Sequence, residues 1–151
     1  MRKTSSALAA LLFSTALFGA TKIDDPKAFI TEVYRRYSAP KSWDYSPPDD
    51  IYTARLANLL RDDRRKAKGE VGCLEINFWV NGQDWMVSRV TVTAMDEGPD
   101  RKTVVAKFMN IDRLEEIHYD FRRVGGRWQL DDVHSTLGET WTLSEMLKCK
   151  L

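Results

Sequence analysis

The chain has 151 residues, 43% of them hydrophobic, with 23 Lys and Arg against 22 Asp and Glu and a formal net charge of +1. That is enough apolar material for one packed core. Its near-neutral, interspersed charge supplies no field to hold nucleic acid or an anionic membrane surface, so neither is expected as a partner.

Residues 1–20 read as a signal peptide. Arg2 and Lys3 form a short basic region, Ala7 to Phe18 is apolar, and Gly19-Ala20 offer small residues for cleavage. The apolar run is too short to span a bilayer. The leader takes two of the 23 basic residues, leaving 21 against 22 acidic ones. Export places a single mature domain, residues 21–151, in the periplasm or outside the cell, with no stable membrane span. There Cys73 and Cys149, the only two cysteines, can persist as a disulfide tying the tail to the middle of the domain.

Asp24-Asp25-Pro26 reads as a helix start, because aspartate caps free N–H groups and proline tolerates the first helical position. Phe29, Val33 and Tyr37 recur at four-residue spacing, Ile30 and Tyr34 widen the stripe, and Pro40 ends it. A loop with Trp43 and Tyr45 follows. Pro47, Pro48, Asp49 and Asp50 are expected to set up a second helix with apolar positions Ile51, Leu56, Leu59 and Leu60, ended by Gly69 or Gly72. The basic run at 61–68 holds two aspartates and reads as a solvated helix end. Cys73–Trp85 fits either a short strand through Ile76, Phe78 and Val80 with a turn at Asn81-Gly82, or an extended loop covering one end of the domain.

Met86–Met95 alternates around Val90, Val92 and Ala94, Glu97–Asp100 is a turn, and Lys102–Asn110 alternates through Val104, Ala106 and Phe108. Arg113–Ser135 is a hairpin about Gly125-Gly126, whose glycines supply the positive φ a two-residue turn demands. With that turn, Val124 faces Arg127, Arg123 faces Trp128, Phe121 faces Leu130, Tyr119 faces Asp132 and Ile117 faces His134. Opposed residues share a face. Ile117, Tyr119, Phe121, Trp128 and Leu130 then form an apolar face ending in Asp132 and His134. His118, Asp120, Asp131 and Val133 lie on the solvated face. A slip of one residue would turn both Asp132 and His134 to solvent. In the tail, Thr142 to Glu145 form a capping box opening a short helix that delivers Cys149.

Two helices and a meander of at least four antiparallel strands imply an α+β layering, with helices packed on a curved sheet. The chain resembles the NTF2-like (cystatin-like) cone fold, and is similar to a bacterial family of small exported proteins of unknown function. The matching pieces are Asp25-Pro26, Phe29, Val33-Tyr34 and Tyr37; Tyr52, Leu56 and Leu59-Leu60; Gly82-Gln83-Asp84-Trp85; and Arg127 to Val133. The resemblance implies a conical pocket between helix and sheet. Its members include isomerases, dehydratases, binding proteins and toxin partners, so the fold selects no function.

Asp132, His134 and Tyr119 are the catalytic candidates, since a carboxylate, an imidazole and a phenol in a desolvated cleft can move protons. The competing reading has Asp132 satisfying backbone N–H groups or an arginine at the end of the sheet. Tyr34, Tyr37, Asp84, Tyr119, Asp132 and His134 are candidate cleft residues, and the loop aromatics Trp43, Tyr45 and Trp85 suit an interface. With His118 and His134 on opposite expected faces, no metal site is expected, and no cofactor motif is present. The expectation is an exported, non-catalytic binding domain, monomer or homodimer, for a protein partner or a small molecule. An inhibitor or immunity protein against a secreted toxin or envelope protein belongs to that class. The alternative is a small cone-fold lyase or isomerase using Asp132, His134 and Tyr119.

Overall fold

The computed structural model describes residues 19–150, and residues 1–18 of the expected leader lie outside them. The elements run α1 (Pro26–Tyr37), a 3-10 turn (Ser42–Asp44), α2 (Ala54–Ala67), β1 (Val87–Asp96), β2 (Arg101–Asn110), β3 (Arg113–Val124), β4 (Arg127–Ser135), β5 (Trp141–Thr142) and α3 (Leu143–Met146). The strands pair antiparallel in chain order, giving an α+β domain with a curved, open sheet.

α1 starts as its sequence predicts: Pro26 opens it and the Asp25 carboxylate accepts from the Lys27 N–H. Its apolar stripe of Ile30, Val33, Tyr34 and Tyr37 is buried, while Glu32 on the open side pairs with Arg35 and Arg36. α2 starts later than expected. Ile51, Tyr52 and Thr53 are extended and lie along β4, with the Thr53 N–H donating to the Leu130 carbonyl and the Leu130 N–H to that of Ile51. A β-branched, aromatic, β-branched trio favours that extended pairing over a first helical turn. Thr53 therefore caps α2 through its side chain, and Asp50 accepts instead from the Thr21 N–H.

The largest correction concerns the hairpin. Gly125 and Gly126 form the turn at φ 56° and 75°, and Phe121 faces Leu130 as expected. Asp120 then faces Asp132, Tyr119 faces Val133 and His118 faces His134. Asp131 is an extra residue, a β-bulge that moves everything after it to the other face. Val133 consequently joins Tyr119 in the core, both 0% exposed, and Asp132 and His134 leave that face. A second bulge, between Ser88 and Thr91 of β1, holds Arg89 at φ 52°. Both bulges bend their strands.

Between α1 and the sheet the interior is filled. Phe78, Trp79 and Val80 sit in the tight turn closed by Asn77 and Gly82 and are buried, so Cys73–Trp85 takes the loop form of its two expected readings. The Trp79 ring stacks on Tyr119 at 5.1 Å, and Tyr34 lies 4.8 Å from Phe108. The Tyr34 hydroxyl donates to the Trp79 carbonyl at 2.7 Å and lies 2.8 Å from the Tyr119 hydroxyl. Cys73 and Cys149 stand at disulfide distance, their Cα atoms 5.7 Å apart and 76 residues distant in sequence.

Tyr34→Phe takes from the buried Trp79 carbonyl the nearer of its two donors, leaving the Tyr119 hydroxyl at 3.4 Å, and is expected to lower the unfolding free energy by about 1 kcal/mol. Urea denaturation measures it, and an unchanged midpoint would mean the carbonyl finds another donor. In the same titration, reducing the disulfide is expected to cost about 4 kcal/mol, from the chain entropy of so long a loop.

Candidate functional site

The expected cleft residues are distributed over five places. Tyr34 and Tyr119 belong to the filled interior, where burial pushes both phenols well above their ordinary pKa; in Tyr34 the bond with Tyr119 opposes that rise. They stay protonated and cannot act as bases near neutral pH. Asp84 is exposed, and its backbone carbonyl accepts from the Asn110 side chain at 3.3 Å.

Asp132 is a helix dock. Its carboxylate accepts from the Ser144 N–H at 3.1 Å and from the Ser144 hydroxyl, and Arg55 reaches it at 3.3 Å. Asp131 beside it accepts from the Thr53 hydroxyl at 2.8 Å. The bulged aspartates thus hold the first turns of α2 and α3, where negative charge is favoured. This replaces the expected capping box, since Thr142 makes no side-chain bond at the start of α3.

His134 stands on the sheet face away from α1, directly across from His118, with ring centroids 5.0 Å apart. His118 Nε2 contacts Glu116 at 3.0 Å and His134 Nδ1 contacts Asp120 at 3.4 Å. The Thr103 hydroxyl donates to Asp120 at 2.7 Å. A shallow cavity of about 340 Å³ opens here, lined in part by Glu97, Lys102 and Asp131. Burial works against the Asp120 carboxylate, but the bonds from His134 and Thr103 outweigh it and hold it below its usual range. The contact with Asp120 raises His134 against the opposing effect of burial. Bonds from His118, Lys107 and Thr136 bring Glu116 to about 2. The expected opposition of the two histidines is therefore overturned by the bulge. No group of three or more metal-ligating side chains is present among the described residues.

The loop aromatics do come together. Tyr37, at the end of α1, is flanked edge-on by Tyr45 at 5.1 Å and Trp85 at 5.7 Å. Trp85 Nε1 donates to the Ser42 hydroxyl at 2.9 Å, and Asn77 donates to the Tyr37 hydroxyl at 3.2 Å. Burial pushes the Tyr37 phenol up to about 12 despite that bond. Together with Trp43, Tyr52 and Trp79 these rings line a cavity of about 440 Å³, with Asp49 and Arg64 among its polar groups. Its volume and aromatic lining lie within the range of pockets in general. Trp43 remains 65% exposed at its rim. Tyr52 and Asn77 are not among the expected site residues; Tyr52 is the centre of a strand-like trio and Asn77 begins a turn, neither of which singles out a cleft.

No protein-family model, curated protein or solved structure matches the chain.

The Asp120–His134 pair makes stability depend on pH. A raised histidine contributes fully below roughly pH 6.5 and loses its contribution as pH rises through its folded value. A lowered aspartate contributes above roughly pH 4 and loses it as pH falls through its folded value. The melting temperature of the wild type relative to His134→Gln is therefore expected to be highest between those limits and to decline on both sides. Parallel melting curves from pH 3 to 9 would show that the pair contributes nothing.

Proposed function

We propose that this chain is an exported binding domain that holds a protein partner through the aromatic cleft, with Trp43 as the central contact. In this reading the domain is an NTF2-like cone whose interior is packed, and an inhibitor or immunity protein acting on a secreted toxin or envelope protein is the functional class. The observation that carries the reading is the contrast between a filled interior and a tryptophan 65% exposed beside a ready-made aromatic cleft. A tryptophan left in water at the mouth of such a cleft supports a contact surface there, since tryptophan is enriched among the residues that dominate binding. The disulfide-distance pair Cys73–Cys149 supports export, since such a bond persists outside the cytosol. The lyase or isomerase alternative needs Tyr119, Asp132 and His134 in one cleft; Tyr119 is in the core, while Asp132 caps α3.

The test is capture from native envelope extract with the oxidised mature domain as bait, read by mass spectrometry and then by binding of the purified partner. A stoichiometric protein is expected, with affinity falling by at least about thirtyfold in Trp43→Ala, as for a central aromatic contact. Recovery of a small molecule alone, retained in Trp43→Ala and lost in Asp132→Ala, would transfer the function to other residues.

A further inference from the structure

The two edges of the sheet are finished differently. Along β4, Ile23 bridges to Trp128, Tyr52 bridges to Leu130, and β5 takes His134 and Ser135. β1, at the other edge, pairs only with β2 among the described residues. It is ten residues long, VSRVTVTAMD, and contains no proline. Natural edges of that length are normally covered or broken, because their outward N–H and C=O groups pair with any extended chain. The bulge at Arg89 breaks only the first part, leaving a regular free edge over Thr91–Asp96.

A groove of about 400 Å³ runs beside this edge between β1 and α1, lined by Lys27, Thr31, Arg35, Ser38, Val90 and Val92. No carboxylate lines it. Arg35 is engaged with Glu32, but Lys27 and, at the bulge, Arg89 make no ion pair among the described residues.

We propose that the β1 edge takes an extended, acidic segment of another protein as an added strand. Main-chain hydrogen bonds to Thr91–Asp96 supply affinity, and every second side chain of the segment falls on the α1 side, over Val90 and Val92. Carboxylates at those positions meet Lys27 and Arg35, and one beyond the regular pairing meets Arg89. This inference is separate from the aromatic cleft and stands or falls without it.

The probe is a fluorescein-labelled hexapeptide of alternating Glu and Val, followed by fluorescence anisotropy. Saturable binding that weakens with salt is expected, with affinity about tenfold lower in Lys27→Glu, a change that suits the first turn of a helix and leaves the fold intact. Methylating alternate peptide nitrogens is expected to abolish binding, and amide exchange to slow at residues 91–96 when peptide is bound. Trp43→Ala is expected to bind the peptide as wild type does, which separates this test from that of the cleft. Absence of saturable binding would overturn the proposal. Equal affinity for a Lys-Val peptide would too, as would binding that survives methylation. A concentration-dependent dimer protected at 91–96 without peptide would replace it with self-pairing.

Discussion

One backbone carbonyl, that of Trp79, joins the three layers of this domain. A carbonyl turned into an apolar interior must find a donor or destabilise the fold by several kcal/mol. Here α1 sends Tyr34 to it at 2.7 Å, and β3 sends Tyr119 to the Tyr34 hydroxyl at 2.8 Å. Helix, sheet and connecting loop are therefore fixed by one buried chain of bonds, in surroundings where each bond is stronger than in water. The ring of Trp79 closes the same space by stacking on Tyr119. What would be a cavity between helix and curved sheet is an aromatic core.

The next constraint is a single extra residue. With Asp131 inserted opposite the Asp120–Phe121 step, the strand keeps its apolar face only by placing Val133, not Asp132, beside Tyr119. The insertion has two consequences at once. It puts His134 across from His118 on the outer face, and it gives the two adjacent aspartates separate tasks at the first turns of α2 and α3. A polar pair in the middle of a strand is poorly suited to a regular ladder; at a bulge its carboxylates become helix anchors.

Much of this was legible in the chain. The start of α1, the four long strands and the glycine turn follow from capping residues, period-two alternation and positive φ. Each of these is a local property, and each is found within a residue or two of its expected bounds. The bulge was not read from the chain, although it left a trace there: Leu130 and Val133 are both apolar but three apart, a step that strict alternation forbids and one inserted residue repairs. The site was less accessible. That Ile51–Thr53 lies along β4 depends on an edge formed almost eighty residues later, and that Trp79 is a plug depends on where Tyr34 and Tyr119 deliver their hydroxyls. No local pattern carries such distant partners. The clustering of Tyr37, Tyr45 and Trp85 is of the same kind, since only the fold brings the end of α1 to the segment just before β1.

The treatment of polar groups limits where recognition can occur. Among the described residues no buried side-chain nitrogen or oxygen lacks a hydrogen-bond partner. Asn110 accepts from the Met86 N–H and donates to the Val80 carbonyl; Asn81 donates to Glu115 and accepts from Trp141. These amides and the Glu115 carboxylate are engaged in holding the loop between α2 and β1. A ligand in the interior would have to break such bonds before making its own, at a cost of one to a few kcal/mol for each group left unpaired. The unsatisfied capacity lies outside instead, in the water-exposed ring of Trp43 and in the outward backbone of β1. Both are features that gain free energy by being covered, the first through apolar area and the second through main-chain hydrogen bonds. Under the proposed binding role, these two outward features rather than the packed interior carry the contacts.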